Sequence, residues 1–121
     1  MRSSVAAVFA GVLLLGGCAG PPSASPVAGG NPQRGVAAIA RYGCGTCHTV
    51  KGISSAHGLV GPPLTGIRDR MYVAGMLENS PENLVEWIRD PKKINPGTAM
   101  PKLGLSARDA TDIAAYLYSI P

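Results

Sequence analysis

Aromatic side chains are scarce in this sequence: one Phe, one Trp and four Tyr among 121 residues. A small domain with so few large rings has a thin hydrophobic core of its own, so other apolar mass is expected at its centre. Cysteine and histidine are also few, three and two. Once Cys44, Cys47 and His48 are grouped, only His57 is left beside them to complete the roughly four nitrogen or sulfur ligands of a zinc site. No run of lysine and arginine marks a nucleic-acid surface, so nucleic acid is not an expected partner. No internal repeat is visible, and no segment shows a convincing strand pattern. The one long apolar run, Val5 to Leu15, is too short for a comfortable membrane span.

What is present is concentrated in Cys44-Gly45-Thr46-Cys47-His48, a C-x-x-C-H motif. Two cysteines at this spacing can form thioethers to the vinyl groups of one haem, and the histidine after them supplies an axial nitrogen. A redox dithiol would give His48 no role and would normally sit in a βαβ setting. One motif means one haem, whose burial supplies the missing apolar mass.

The chain starts with a basic residue, Arg2, before the apolar run, which reads as a secretion signal. Leu15-Gly16-Gly17-Cys18 resembles the cleavage box of bacterial lipoproteins. That resemblance implies removal of residues 1–17 and a lipid on Cys18. Ala19 in the next position leans towards the outer rather than the inner membrane, with the protein facing the periplasm. Lipidation also accounts for the odd cysteine, otherwise an unpaired thiol in an oxidising compartment. The alternative is an ordinary secretory signal with Cys18 incidental. Residues 18–30, uncharged and rich in Pro, Gly, Ala and Ser, read as a flexible tether. Residues 31–121 then form one small domain.

Three helices are expected there. Asn31 and Pro32 open the first, which presents Gly35, Ala38, Ile39 and Tyr42 on one face and closes at Gly43. Ser80 and Pro81 open the second, with Leu84, Trp87 and Ile88 together and a stop at Asp90-Pro91. Ser106 with Asp109 three residues on opens the third, whose apolar stripe is Ala110, Ile113, Ala114, Leu117 and Ile120. The first and third are expected to cross near Gly35. Lys51 to Thr65 reads as loop.

The iron's sixth ligand is open on spacing alone. Met100, framed by Pro96, Gly97 and Pro101, is either a ligand or a gap-filling core side chain. His57 is the rival, giving a bis-histidine iron of lower potential. Met71 and Met76 lack such a frame and belong in the core or on the surface.

Three further segments follow the haem motif in order: Gly61-Pro62-Pro63-Leu64-Thr65-Gly66, then Pro91 through Pro101, then Asp112-Ile113-Ala114-Ala115-Tyr116-Leu117. Together they resemble the class I c-type cytochromes over Asn31–Pro121, in a shorter bacterial form. The resemblance implies an all-α cytochrome c fold, with three main helices and long loops around one haem c bound through Cys44 and Cys47. It makes His48 and Met100 the axial pair. It also implies that the Pro62 carbonyl holds the other ring nitrogen of His48. Arg70 would lie near the haem propionates, with Tyr72, Trp87 and Thr98 as further donors. Trp87 stands where mitochondrial members carry a tyrosine.

The function implied is a single-electron carrier of a respiratory chain, not an enzyme. Its partners would be proteins such as a quinol–cytochrome c reductase or a terminal oxidase. A ligand-binding or peroxidase-type haem protein would need a labile sixth ligand and distal acid–base groups, for which only the remote His57 offers itself. A structural lipoprotein stabilised by its haem is the third class. The net charge of +4 falls to +3 without Arg2. Lys51, Lys92, Lys93 and Lys102 lie near the haem and methionine segments, where they would steer the protein towards acidic docking sites. The plainer alternative is that they are solvated lysines with no partner role.

Overall fold

Side-chain caps open the three expected helices in the computed structural model, which describes residues 25–121. The expected signal segment, Cys18 and the first part of the tether lie outside the described residues. Helix α1 (Pro32–Arg41) begins where the Asn31 side chain accepts from the Arg34 N–H at 2.8 Å. The chain then turns at Gly43, whose φ of +70° is left-handed and suits glycine. Helix α2 (Pro81–Arg89) is capped by Ser80, which accepts from the Asn83 N–H at 3.1 Å.

Asp90-Pro91, expected only as a stop, also starts a fourth helix, α3 (Pro91–Ile94). The Asp90 carboxylate accepts from the Lys93 N–H at 3.3 Å, and Pro91 needs no donor in a first turn. Helix α4 (Ala107–Ser119) opens with Ser106 accepting from the Asp109 N–H at 3.0 Å. The expectation of no strand is corrected by a small hairpin. Strand β1 (Tyr72–Val73) pairs antiparallel with β2 (Leu77–Glu78), Tyr72 opposite Glu78 and Val73 opposite Leu77. Strands of two residues are too short to display alternation in sequence.

The α1–α4 crossing forms the main packing layer, and α2 packs against α4 beside it. Gly35 permits the crossing. A Cβ there would lie 2.8 Å from the Asp112 carbonyl carbon and 2.9 Å from the Tyr116 Cβ. Asp112, only 1% exposed, accepts from the Asn31 N–H and the Arg34 Nη2 at 2.8 Å and from the Arg34 Nε at 2.6 Å. A buried carboxylate is tolerable when its lone pairs are filled in this way. The Arg34 hydrogen bonds hold its pKa below the ordinary carboxylate value despite burial.

The folded part also reaches further upstream than the expected start at residue 31. Val27 is 3% exposed, its carbonyl accepts from the Gly30 N–H at 3.0 Å, and Gly30 lies against Ala115 and Thr111 of α4. The last residues assigned to the tether are therefore part of the domain. Among the described residues no helix is long and apolar enough to cross a membrane.

Candidate functional site

A cleft of about 520 Å³ opens between the haem-motif segment, the hairpin, α2 and the methionine segment. That volume is in the range of small-molecule sites, about 300–1,000 Å³. Its lining is mainly apolar, including Ile39, Leu64, Leu84, Ile113 and Leu117. Cys44, Cys47, His48, Pro62, Arg70, Tyr72, Trp87, Thr98 and Met100 all line it too. The structure thus brings together every expected site residue except Cys18, which lies outside the described residues.

The motif itself is a 3-10 turn, Cys44–Thr46, entered through left-handed Gly43. The His48 N–H closes back on the Cys44 carbonyl at 3.0 Å. Both thiols are free and half-buried, with no disulfide between them. Burial raises the Cys44 thiol above its ordinary pKa, which keeps it protonated at neutral pH.

The segment from Gly58 to Leu64 is stitched to this turn. Gly58 donates to the Gly45 carbonyl at 3.0 Å, Gly61 to that of Cys47 at 2.8 Å, and Leu64 to that of Thr49 at 2.9 Å. Gly61 lies directly against the His48 ring: a Cβ there would sit 2.6 Å from Nδ1 and 2.9 Å from Nε2. His48 Nδ1 is 2.7 Å from the Pro62 carbonyl oxygen. A carbonyl can only accept, so Nδ1 carries the hydrogen and Nε2 keeps its lone pair for a metal. The Arg70 Nη2 donates to the Pro63 carbonyl at 2.6 Å and the Thr65 carbonyl at 3.0 Å. Arg70 thus lines the cleft and at the same time braces the loop that orients His48.

The methionine segment is braced from within. Gly97 donates to Asn95 Oδ1 at 3.0 Å, and Thr98 N–H to the Asn95 carbonyl at 3.1 Å. The Met100 N–H donates to Thr98 Oγ1 at 3.2 Å, which leaves the Thr98 hydroxyl hydrogen for another acceptor. Lys92 Nζ donates to the Thr98 carbonyl at 2.8 Å, and Lys102 pairs with Asp90. Two of the four lysines expected to steer partners are therefore engaged with the protein itself. Tyr72 is 57% exposed at the mouth, and Trp87 is half-buried.

His57 is exposed, paired through its backbone with Thr49, and is not part of the cleft wall. Met71 and Met76 are on the surface. Among the described residues, no three His, Cys, Asp or Glu side chains gather as an ion site. A thiol pair, one oriented imidazole, one thioether and an apolar cleft suit a covalently attached haem far better than a bare ion.

Two residues near the site were not singled out in sequence. Asn79 donates through Nδ2 to the carbonyls of Ile67 and Arg70, both at 2.7 Å, and Tyr118 donates to Asn79 Oδ1 at 2.6 Å. Neither carries a motif. An asparagine just before a Ser-Pro cap reads as ordinary turn chemistry.

Residues 32–121 match the family model described as cytochrome c. Cytochrome c of Gibberella zeae is 34% identical over 104 residues, covering 75% of this chain and 95% of that protein. Cytochrome c oxidase subunit 2 of Alkalihalophilus pseudofirmus is 41% identical over 78 residues, which is 64% of this chain and 22% of that one. The same subunit of a Bacillus species is 38% identical over 65 residues, 52% of this chain and 18% of that one. The chain spans about a fifth of the length of those two relatives. Among solved structures, cytochrome c2 from Rhodobacter sphaeroides has the same fold. Its TM-score is 0.57 at 23% identity, covering 75% of this chain and 96% of that one.

Proposed function

The chain belongs to the cytochrome c family, and from that premise we propose that it is a single-electron carrier of a respiratory chain. In this reading one haem c is joined to Cys44 and Cys47, with His48 and Met100 as its axial ligands. The observation that carries the reading is the imidazole of His48, trapped between Gly61 and the Pro62 carbonyl with Nε2 left free. Bound haem c supplies a one-electron iron couple. Thr98 fixes the backbone of Met100, whose thioether favours the reduced state and raises the potential. The free hydrogen of Thr98, the Tyr72 hydroxyl and the Trp87 indole N–H are donors for the propionates. Arg70 serves them only with the part of its guanidinium not spent on Pro63 and Thr65.

The partners proposed are a quinol–cytochrome c reductase or a terminal oxidase; likeness to oxidase subunit 2 supports the latter. The mouth of the cleft carries exposed Val60, Tyr72 and Leu103, with Leu59 beside them. With the Lys102 charge offset by Asp90, docking there relies on apolar contact, and Lys51, Lys92 and Lys93 supply the steering charge, since the carbonyl that Lys92 meets leaves its charge intact. We also infer a bacterial lipoprotein, cleaved after residue 17 and lipidated at Cys18. It would sit at the periplasmic face of the cell envelope, the outer membrane favoured.

The exposed position of His57 favours Met100 as the sixth ligand. The test is the optical spectrum of the oxidised holoprotein. A weak sulfur-to-iron band at the red end should be present in the wild type, lost in Met100→Ala and kept in His57→Ala. Absence of the band from the wild type, or its survival in Met100→Ala, would overturn the assignment.

A further inference from the structure

We propose that Asn79 is a positioning residue for the His48 imidazole, acting through Arg70 and the Pro62–Thr65 loop; this rests on the reading of His48 as an iron ligand. Pro62 and Pro63 have no N–H, so between the backbone anchors at Gly61 and Leu64 the placement of this loop depends on which groups reach its carbonyls. The side chains that do so are His48, at Pro62, and Arg70, at Pro63 and Thr65. Arg70 is itself exposed, so burial does not fix it. Its backbone is fixed instead. The Arg70 carbonyl accepts from Asn79 Nδ2 at 2.7 Å, and its N–H donates to the Ile67 carbonyl at 3.2 Å.

Asn79 is held just as fully. The second hydrogen of Nδ2 goes to the Ile67 carbonyl at 2.7 Å, its N–H to the Met71 carbonyl at 3.0 Å, and its Oδ1 takes the Tyr118 hydroxyl at 2.6 Å. Tyr118 is buried on α4, and burial raises its pKa, so the hydroxyl remains a donor. An unbroken set of hydrogen bonds therefore runs from α4 through Asn79 and Arg70 to the loop that holds His48.

The functional consequence follows from the last bond. A strong hydrogen bond from Nδ1–H makes an imidazole a better electron donor at Nε2, which favours oxidised iron and lowers the potential. Loosening the loop weakens that bond and raises the potential.

The experiment compares the holoproteins of wild type, Asn79→Ala and Tyr118→Phe. Asn31→Ala, which uncaps α1 and touches none of the Asn79, Arg70 and Tyr118 hydrogen bonds, is the control for general destabilisation. Midpoint potential and the NMR signal of the His48 Nδ1–H are read in each. Both test variants should shift the potential upward, Asn79→Ala the more. The shift should reach up to about tenfold in the one-electron equilibrium, or about 59 mV. Their Nδ1–H should exchange faster with solvent, and Asn31→Ala should change neither readout. Should Asn79→Ala fail to fold, Tyr118→Phe carries the test. Unchanged potential and exchange in the folded variants, or equal shifts in Asn31→Ala, would overturn the proposal. A ferric wild-type spectrum in which the His48 ring shows no paramagnetic shift would overturn the ligand assignment instead, and is read separately.

Discussion

Gly61→Ala tests the site at its tightest point. Replacing glycine by alanine at an unstrained position normally stabilises by about 0.4–1 kcal/mol, because the unfolded chain loses freedom. Gly61 does not have the positive φ of Gly43 or Gly66, so backbone strain gives no objection. The steric one is severe. The new methyl would stand 2.6 Å from His48 Nδ1 and 2.9 Å from Nε2, inside van der Waals contact. Neither side can yield freely, since the ring is held at 2.7 Å by Pro62 and the Gly61 N–H at 2.8 Å by Cys47. Overpacking of this kind costs about 1–3 kcal/mol. Losing the ring's hydrogen bond adds about 0.5–1.5 kcal/mol.

The net expectation for Gly61→Ala is a loss of about 0.5–4 kcal/mol after the entropic gain is subtracted. In a domain this small each kcal/mol lowers Tm by about 4–8 °C, so thermal unfolding of the holoprotein followed by circular dichroism resolves it. The midpoint potential should shift in the same sample, because the imidazole has been displaced. Gly97→Ala is the matched control: its Cβ would meet only Asn95 Oδ1, at 3.4 Å, and its Tm should be unchanged or slightly raised. If Gly61→Ala unfolds with Gly97→Ala and keeps the wild-type potential, the close fit of Gly61 to His48 is not what holds the ring.

Much of this arrangement was legible because the chemistry is local. Asn31-Pro32, Ser80-Pro81 and Ser106 with Asp109 are cap signals, and α1, α2 and α4 begin where they stand. The haem motif, the Pro62 loop and the methionine segment are likewise contiguous stretches, and their side chains line one cleft. The parts that could not be read depend on partners far away in sequence. Asp112 looks like one more acid on a helix until Arg34, 78 residues earlier, reaches it. Asn79 meets Tyr118 across 39 residues. Helix α3 was hidden because Asp90-Pro91 ends one helix and caps the next, two uses of one dipeptide. The hairpin turns through Ala74 at φ +54° before Gly75 at +69°, and alanine in the left-handed region is not a turn signal. Val27 read as tether because composition records flexibility and not the burial of a single valine in the core.

Two further outcomes are expected. Cys18→Ser should release the protein from membrane fractions, or block its processing, without altering the haem spectrum; wild-type protein recovered soluble with an unmodified Cys18 would refute the anchor. Asp112→Asn should expose the pH dependence of the α1–α4 joint. The Asp112 carboxyl is held below its ordinary pKa, first by the Arg34 hydrogen bonds. Its contribution is therefore complete above the unfolded value of about 3.9 and is lost as pH falls through the lower folded value. At neutral pH the asparagine keeps one acceptor but turns an NH2 group towards the Arg34 donors, a loss of about 1.5–3 kcal/mol for hydrogen bonds to a charged partner. Below about pH 4 the wild-type carboxylate is progressively protonated and loses the same advantage, so the two unfolding curves should converge. A stability gap that stays constant down to pH 2, measured by denaturant titration, would mean that the ionised form of Asp112 is not what joins the helices.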